Sequence, residues 1–347
     1  MPRFSPVLFA LLALAACGKS EAPPPSAASE TRRSTASGEI VGFVAENGAH
    51  VWRGVPFAAS TAGENRWRAP QPAESWTGVR ESLDFADRCP QLTNAFSAGE
   101  GYDPGLRIGS EDCLALDIYA PADAGSKELP VMVWIHGGGN VWGTSQSYDG
   151  SRLAVNEDVI IVAVQYRLGP LGWFSHPILR EEDASVGANF GTRDLIASLE
   201  WVRDNIGAFG GDPENVTIFG ESAGGHNVAT LLASPLADGL FHRAIVQSGS
   251  FDSVSIAEAE GDAGAEDNPS ADIVAKLGAS SAADLRALST DAVFDAYTLD
   301  EAGYLSLPRI IEDGVVLPFL LFQVTGHLIH LARTRAELNQ MARDLKE

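Results

Sequence analysis

Positive charge is scarce in this 347-residue sequence: 24 lysines and arginines face 46 aspartates and glutamates, a formal charge of −22. Nucleic acid and anionic lipid surfaces repel such a chain, which excludes both as direct partners. Cysteine is scarcer still, with three residues, no C-x-x-C and no histidine cluster at metal-ligand spacing. Nothing therefore points to a zinc site, and no cofactor is implied. No internal repeat is visible, which sets repeat architectures aside. What is present is apolar: such residues make up 45 % of the chain, ample for a sizeable core. The length suits two average domains or one large α/β domain.

The N-terminus has its own texture. Arg3 precedes FSPVLFALLALAAC, an apolar stretch too short to span a bilayer, which reads as a secretory signal. Its end, Leu14-Ala15-Ala16-Cys17, resembles the lipobox of bacterial lipoproteins. That resemblance implies a signal peptide over residues 1–16 and diacylglycerol on the Cys17 sulfur. The protein is then exported, facing the periplasm or cell exterior, and touches the membrane only through that anchor. Acyl chains contribute about 0.8 kcal/mol per buried methylene, enough in combination to hold a protein firmly. An ordinary signal peptide with an incidental cysteine is the alternative. Residues 17–37, rich in Pro, Ala and Ser, read as a flexible tether. Cys89 and Cys113 remain, an even pair in a chain expected to leave the cytoplasm. They read as a disulfide, worth about 3 kcal/mol in the chain-entropy picture, or else as two buried thiols.

After the tether, GEIVGFVAENGAHVWRGVPFA alternates apolar and polar residues around an Asn-Gly turn, a hairpin signal. Further on, LPVMVWIHGGG, DVIIVAVQYRLG, NVTIFGESAGG and RAIVQSGS are short Val/Ile-rich runs that stop at glycine or a polar turn. Such runs suit parallel strands buried between helices. Between them Leu195, Leu199, Val202 and Ile206 recur at helical steps, and Gly210, Gly211 and Pro213 end that helix. Strand and helix in alternation predict a doubly wound α/β sheet. The acidic stretch from Ser250 to about Asn268 reads as a loop or lid, and SADIVAKLG and SSAADLRALSTDAVFDAYT read as helical.

Gly220-Glu221-Ser222-Ala223-Gly224 lies between a strand and a helix, the setting of a nucleophile elbow. A serine held at a strained turn needs small neighbours on both sides. His136-Gly137-Gly138-Gly139 directly follows the strand VMVWI. Acyl transfer creates an oxyanion, and glycine amides can face it without side chains in the way. A phosphate-binding turn would want a nearby Lys or Arg, and HGGGNVWGTSQSYDG has neither.

These motifs together resemble the type-B carboxylesterases, the family that includes cholinesterases and bacterial para-nitrobenzyl esterases. FGGDPENVTIFGESAG resembles the family's serine signature, and EDCLALDIY its second signature. RGVPFA, RWRAPQP, QYRLGPLGWF and FHRAIVQSGS match as well, and the resemblance runs from about Gly38 to Pro318. It implies an α/β-hydrolase fold, with a mostly parallel sheet flanked by helices and its C-terminal part missing. It also implies hydrolysis of a small-molecule carboxylic ester through an acyl-enzyme on Ser222. The oxyanion amides would be those of Gly138, Gly139 and Ala223, Glu221 would line the site, and Cys89 would pair with Cys113. Asn140 departs from the pattern, in which an aromatic residue follows the glycines and shapes the acyl pocket.

The family order is serine, acid, histidine, with about a hundred residues between each. Only 125 residues follow Ser222. Each of the seven histidines reads as structural: His50 in the hairpin, His136 in the glycine loop, His176 before a proline, His226 packed beneath the elbow. The same holds for His242 in LFHRAI and for His327 and His330 in the tail. Residues 319–347 do not resemble the family and read as foreign to it. Three readings result: an exported esterase, a relative used for binding or adhesion without catalysis, and a truncated product without a role.

Overall fold

The computed structural model describes residues 24–95, 97, 101–185, 187–261, 268–299, 305 and 310–318. The expected signal peptide, Cys17, and the 319–347 tail with His327 and His330 lie outside the described residues.

Seven stretches pair into one sheet: β1 (Phe43–Val44), β2 (His50–Pro56), β3 (Ala115–Ala120), β4 (Leu129–Ile135), β5 (Ile160–Val164), β6 (Gly211–Glu221) and β7 (Arg243–Gln247). Their spatial order is β7-β6-β4-β5-β3-β2-β1. The pairs from β7 to β5 are parallel, and those from β5 to β1 are antiparallel. Five strands therefore share one direction while β3 and β1 oppose it, so the sheet is mixed, though mostly parallel in direction. The expected hairpin is β1–β2, turned at Asn47-Gly48 with Gly48 at φ 84°.

Helices cover both faces. Every residue of β5 is buried, and alternate side chains serve two cores, as the two-residue period of a strand requires. Ile160, Val162 and Val164 join Leu195, Leu199 and Val202 of α2 (Phe190–Asn205) and Val228 and Leu231 of α3 (Ala223–Ala233). Ile161 joins Ala154 of α1 (Ser151–Glu157) on the opposite face. The predicted stripe of α2 is thus its buried side. The helix ends at Asn205, and a 3-10 turn carries the chain to Gly210 at φ 86°.

The connections position the site. From β4 the chain passes through α1 to β5 on one side, while from β6 it passes through α3 to β7 on the other. The chain therefore leaves adjacent β4 and β6 toward opposite faces, and the C-terminal ends of these two strands are where open α/β sheets bind ligands.

Two expectations need correction. Residues 29–37 are not a tether. Arg33–Thr35 pairs with Gly38–Val41, and the fully buried Thr31 accepts Trp52 Nε1–H through its carbonyl at 2.7 Å and Gly42 N–H through Oγ1 at 2.9 Å. Hydrogen bonds and a strand partner hold this apolar-poor stretch. The acidic stretch after Ser250 is not all loop: it contains β8 (Ser253–Ser255) and α4 (Ile256–Glu260), the latter opened by a Ser255/Glu258 capping box. β8 pairs in parallel with β9 (Ile310–Glu312). The predicted helical region is α5 (Ser270–Leu277), α6 (Ala282–Ala287) and α7 (Thr290–Asp295), which bury Ile273, Leu285 and Phe294 with Trp67, Phe174 and Phe190. Cys89 and Cys113 are disulfide-bonded.

Candidate active site

The elbow is built from close approaches. Ser222 has φ 56° and ψ −122°, a conformation natural to glycine and strained for serine. Its N–H donates to Gln247 O at 2.9 Å, and His226 N–H, one turn on, donates to Ser222 O at 3.0 Å. A Cβ at Gly220 would lie 2.6 Å from Gly224 C and 2.7 Å from Ile135 O. A Cβ at Gly224 would drive into Ile135 O and His136 O. Both glycines of the motif are therefore fixed by the contact between the first turn of α3 and the end of β4.

The glycine run meets the same turn. A Cβ at Gly137 would stand 2.7 Å from Glu221 O and 3.3 Å from the Ser222 Cβ. Gly138 and Gly139 adopt φ 103° and 63°, and the Gly138 carbonyl accepts the N–H groups of Val141 and Trp142 at 3.1 Å. The N–H groups of Gly138, Gly139 and Ala223 make no hydrogen bond among the described residues. Ala223 opens α3, so its amide also stands at the positive end of the helix dipole. Glu221 is exposed, with Oε2 beside Gly137. Such a cradle can stabilise negative charge on an oxygen that forms next to Ser222.

The loop is anchored from below. His136 is buried, its Nδ1–H donates to Gly137 O at 2.9 Å, and its ring stacks on Tyr166 with centroids 4.4 Å apart. Burial pushes its pKa down to about 4, so the ring is neutral at pH 7. Tyr166 Oη–H donates to His136 O at 2.7 Å. Asn140, at φ 60°, accepts Gly169 N–H through its carbonyl at 2.7 Å and Asn227 Nδ2–H through Oδ1 at 2.8 Å. Asn140 therefore ties the loop to α3 through its side-chain amide, a bond for which phenylalanine or tryptophan has no acceptor. Sequence reasoning missed the partner, Asn227, although its place five residues after the serine was visible.

Ser222 Oγ has no hydrogen-bond partner among the described residues. His226 does not pack beneath the elbow as expected: it is half-buried, and its Nε2 lies 3.2 Å from Ser250 Oγ. The other described histidines are held elsewhere. His50 is buried in β2, His176 Nδ1 accepts Ile178 N–H at 3.2 Å, and His242 Nδ1 accepts Val216 N–H at 3.1 Å.

Comparison with known proteins agrees with this geometry: the model of the carboxylesterase family matches residues 29–292. The chain belongs to the carboxylesterase family. That match begins within the stretch read as a tether, as the buried Thr31 requires. Para-nitrobenzyl esterase of Bacillus subtilis (strain 168) is 47 % identical over 217 residues, 62 % of this chain and 43 % of its own length. Liver carboxylesterase 1 of Oryctolagus cuniculus is 45 % identical over 256 residues, 69 % of this chain and 43 % of its own. The carboxylesterase chain thus spans 43 % of the length of each of these relatives. A solved para-nitrobenzyl esterase structure superposes with a TM-score of 0.73 at 36 % identity, covering 83 % of this chain and 58 % of the other. The fold is that of the α/β hydrolases.

Proposed function

We propose that the protein is a carboxylic ester hydrolase in which Ser222 is the nucleophile and the N–H groups of Gly138, Gly139 and Ala223 form the oxyanion hole. Ser222 Oγ adds to the ester carbonyl as its proton passes to solvent water. The carbonyl oxygen becomes an oxyanion facing the three amides. Collapse expels the alcohol, which takes up the proton, and leaves an acyl group on Ser222. Water then adds to the acyl carbonyl, giving a proton to solvent, and the bond to Oγ breaks, releasing the carboxylic acid while Oγ regains a proton from solvent. One observation carries the reading: a serine at φ 56° stands where β6 meets α3, and the N–H groups of Gly138 and Gly139 in the adjoining turn and of Ala223 in α3 make no hydrogen bond among the described residues. Each such donor is worth about 3 kcal/mol of barrier. A binding module needs neither the strain nor the glycines.

The reading includes no base among the described histidines, so turnover by this chain is expected to rest on the oxyanion hole and substrate binding. Those leave about 10³–10⁴-fold catalysis over water in an intact site that lacks a triad member. Export, with lipid on Cys17, belongs to the same proposal and rests on the Leu14-Ala15-Ala16-Cys17 sequence; Cys17→Ser should move the protein from the membrane fraction to the soluble one. The catalytic proposal is tested by para-nitrophenyl ester hydrolysis. Turnover above background that disappears in Ser222→Ala supports it, and equal rates in the two proteins overturn it.

A further inference from the structure

Gln91 stands two residues beyond Cys89, on the loop that the Cys89–Cys113 disulfide closes, and only 4 % of it is exposed. Its Oε1 accepts Gly143 N–H at 2.9 Å. Its Nε2 donates to Gly143 O at 2.9 Å and to Cys89 O at 3.0 Å. A primary amide thus pairs with both polar groups of one glycine, as a neighbouring strand would. Gly143 is the exit of the glycine turn. A Cβ on it would fall 2.5 Å from His136 Nδ1 and 2.6 Å from Gly137 O. The turn is closed inside by the Gly138 carbonyl, fixed at its entry by β4, and clamped at its exit by Gln91.

We infer that Gln91 is a positioning residue of the oxyanion loop, acting at its exit as Asn140 and Tyr166 act elsewhere in it: it helps set where the Gly138 and Gly139 N–H groups point, and the disulfide holds Gln91 in place. This rests on the proposed role of those amides. The chemistry selects glutamine. Asparagine is one methylene shorter. Glutamate keeps an acceptor for Gly143 N–H but turns its other oxygen on two carbonyls, Gly143 O and Cys89 O.

The test is amide hydrogen exchange on the full chain, read by mass spectrometry and paired with fluorophosphonate labelling of Ser222. In Gln91→Ala the peptide covering residues 137–143 should exchange at least about tenfold faster, with α2 and β5 unchanged. Labelling should slow by a similar factor. Gln91→Glu should fall between Gln91→Ala and the parent, and it decides the matter if Gln91→Ala does not fold. Gln146→Ala removes a comparable tie between the same segments, Gln146 Nε2–H to Ala86 O at 2.7 Å, and should leave the 137–143 peptide nearly unchanged. Unchanged exchange in the glycine turn, or equal acceleration everywhere, overturns the inference. If the parent chain is not labelled, the ester chemistry fails while the exchange ratios still decide the role of Gln91.

Discussion

Gly220→Ala asks whether the elbow is held by the close approaches that the backbone shows. Gly220 does not have a positive φ, so alanine can adopt its backbone without strain. The obstacle is space. The new methyl group would lie 2.6 Å from both Gly224 C and Gly224 O and 2.7 Å from Ile135 O, against 3.4 Å for ordinary contact. All three are main-chain atoms, so no side chain can rotate away. β6 must back off by about 0.8 Å from α3 and about 0.7 Å from β4, and overpacking of this kind costs about 1–3 kcal/mol. The displacement falls on the residues flanking Ser222 and the oxyanion amides, where a shift near 1 Å costs on the order of 10²-fold in rate. Urea denaturation should show the loss of stability, and the rate of fluorophosphonate labelling should fall by about tenfold or more. Gly207→Ala is the control: a Cβ there meets nothing within 4 Å, and both readouts should stay at the parent value. Parent-like stability and labelling in Gly220→Ala would refute the reasoning.

Ser222→Gly removes the nucleophile and also the strain of φ 56°; it should abolish labelling and raise stability by about 1 kcal/mol. Asp117→Asn should steepen the loss of stability in acid. Burial raises the buried Asp117 carboxyl to about 6, so in the parent it contributes stability fully below about pH 4 and loses it as pH rises through 6. His136, lowered to about 4, acts oppositely: its contribution is full above about pH 6.5 and is lost as pH falls through 4. The two offset each other in the parent. The asparagine variant should therefore lose up to about 3 kcal/mol more than the parent between pH 7 and 4 in denaturation titrations, and identical slopes would refute this. Asp313→Ala strands the N–H groups of Ala188, Val315, Val316 and Leu317 and the Asn189 amide, all donors to its carboxylate at 2.8–3.1 Å. It should lower stability by about 3 kcal/mol or more, and a change below about 1 kcal/mol would contradict that role.

Much of the site could be read from the sequence because its constraints are local. Gly220, Gly224, Gly137 and Gly138 are glycines because neighbouring backbone leaves no room for a Cβ, Gly139 because its φ is 63°, and such needs show in consecutive residues. β5 was equally plain, since burial on both faces selects unbroken Val and Ile; β7, expected to be buried in the same way, is instead an edge strand with Ile245 44 % exposed, because nothing among the described residues pairs with its outer side. Distant partners hid the rest. Gln91 looks like any loop glutamine until Gly143, 52 residues away, is placed beside it. β8 is three residues whose partner lies far downstream. Residues 29–37 are held by Trp52 and Gly42, so their polar composition misleads. Asn140, unusual after the glycines, gains its meaning only when Asn227 is seen against it.

The central claim is that Ser222 is the acyl-accepting oxygen. It is tested most directly by prolonged exposure of the full chain to a fluorophosphonate, followed by peptide mapping by mass spectrometry. The account predicts one adduct, on the peptide carrying Ser222, and none in Ser222→Ala. An adduct on Ser248 or Ser250 instead, or an unmodified Ser222 in a folded chain, would contradict it.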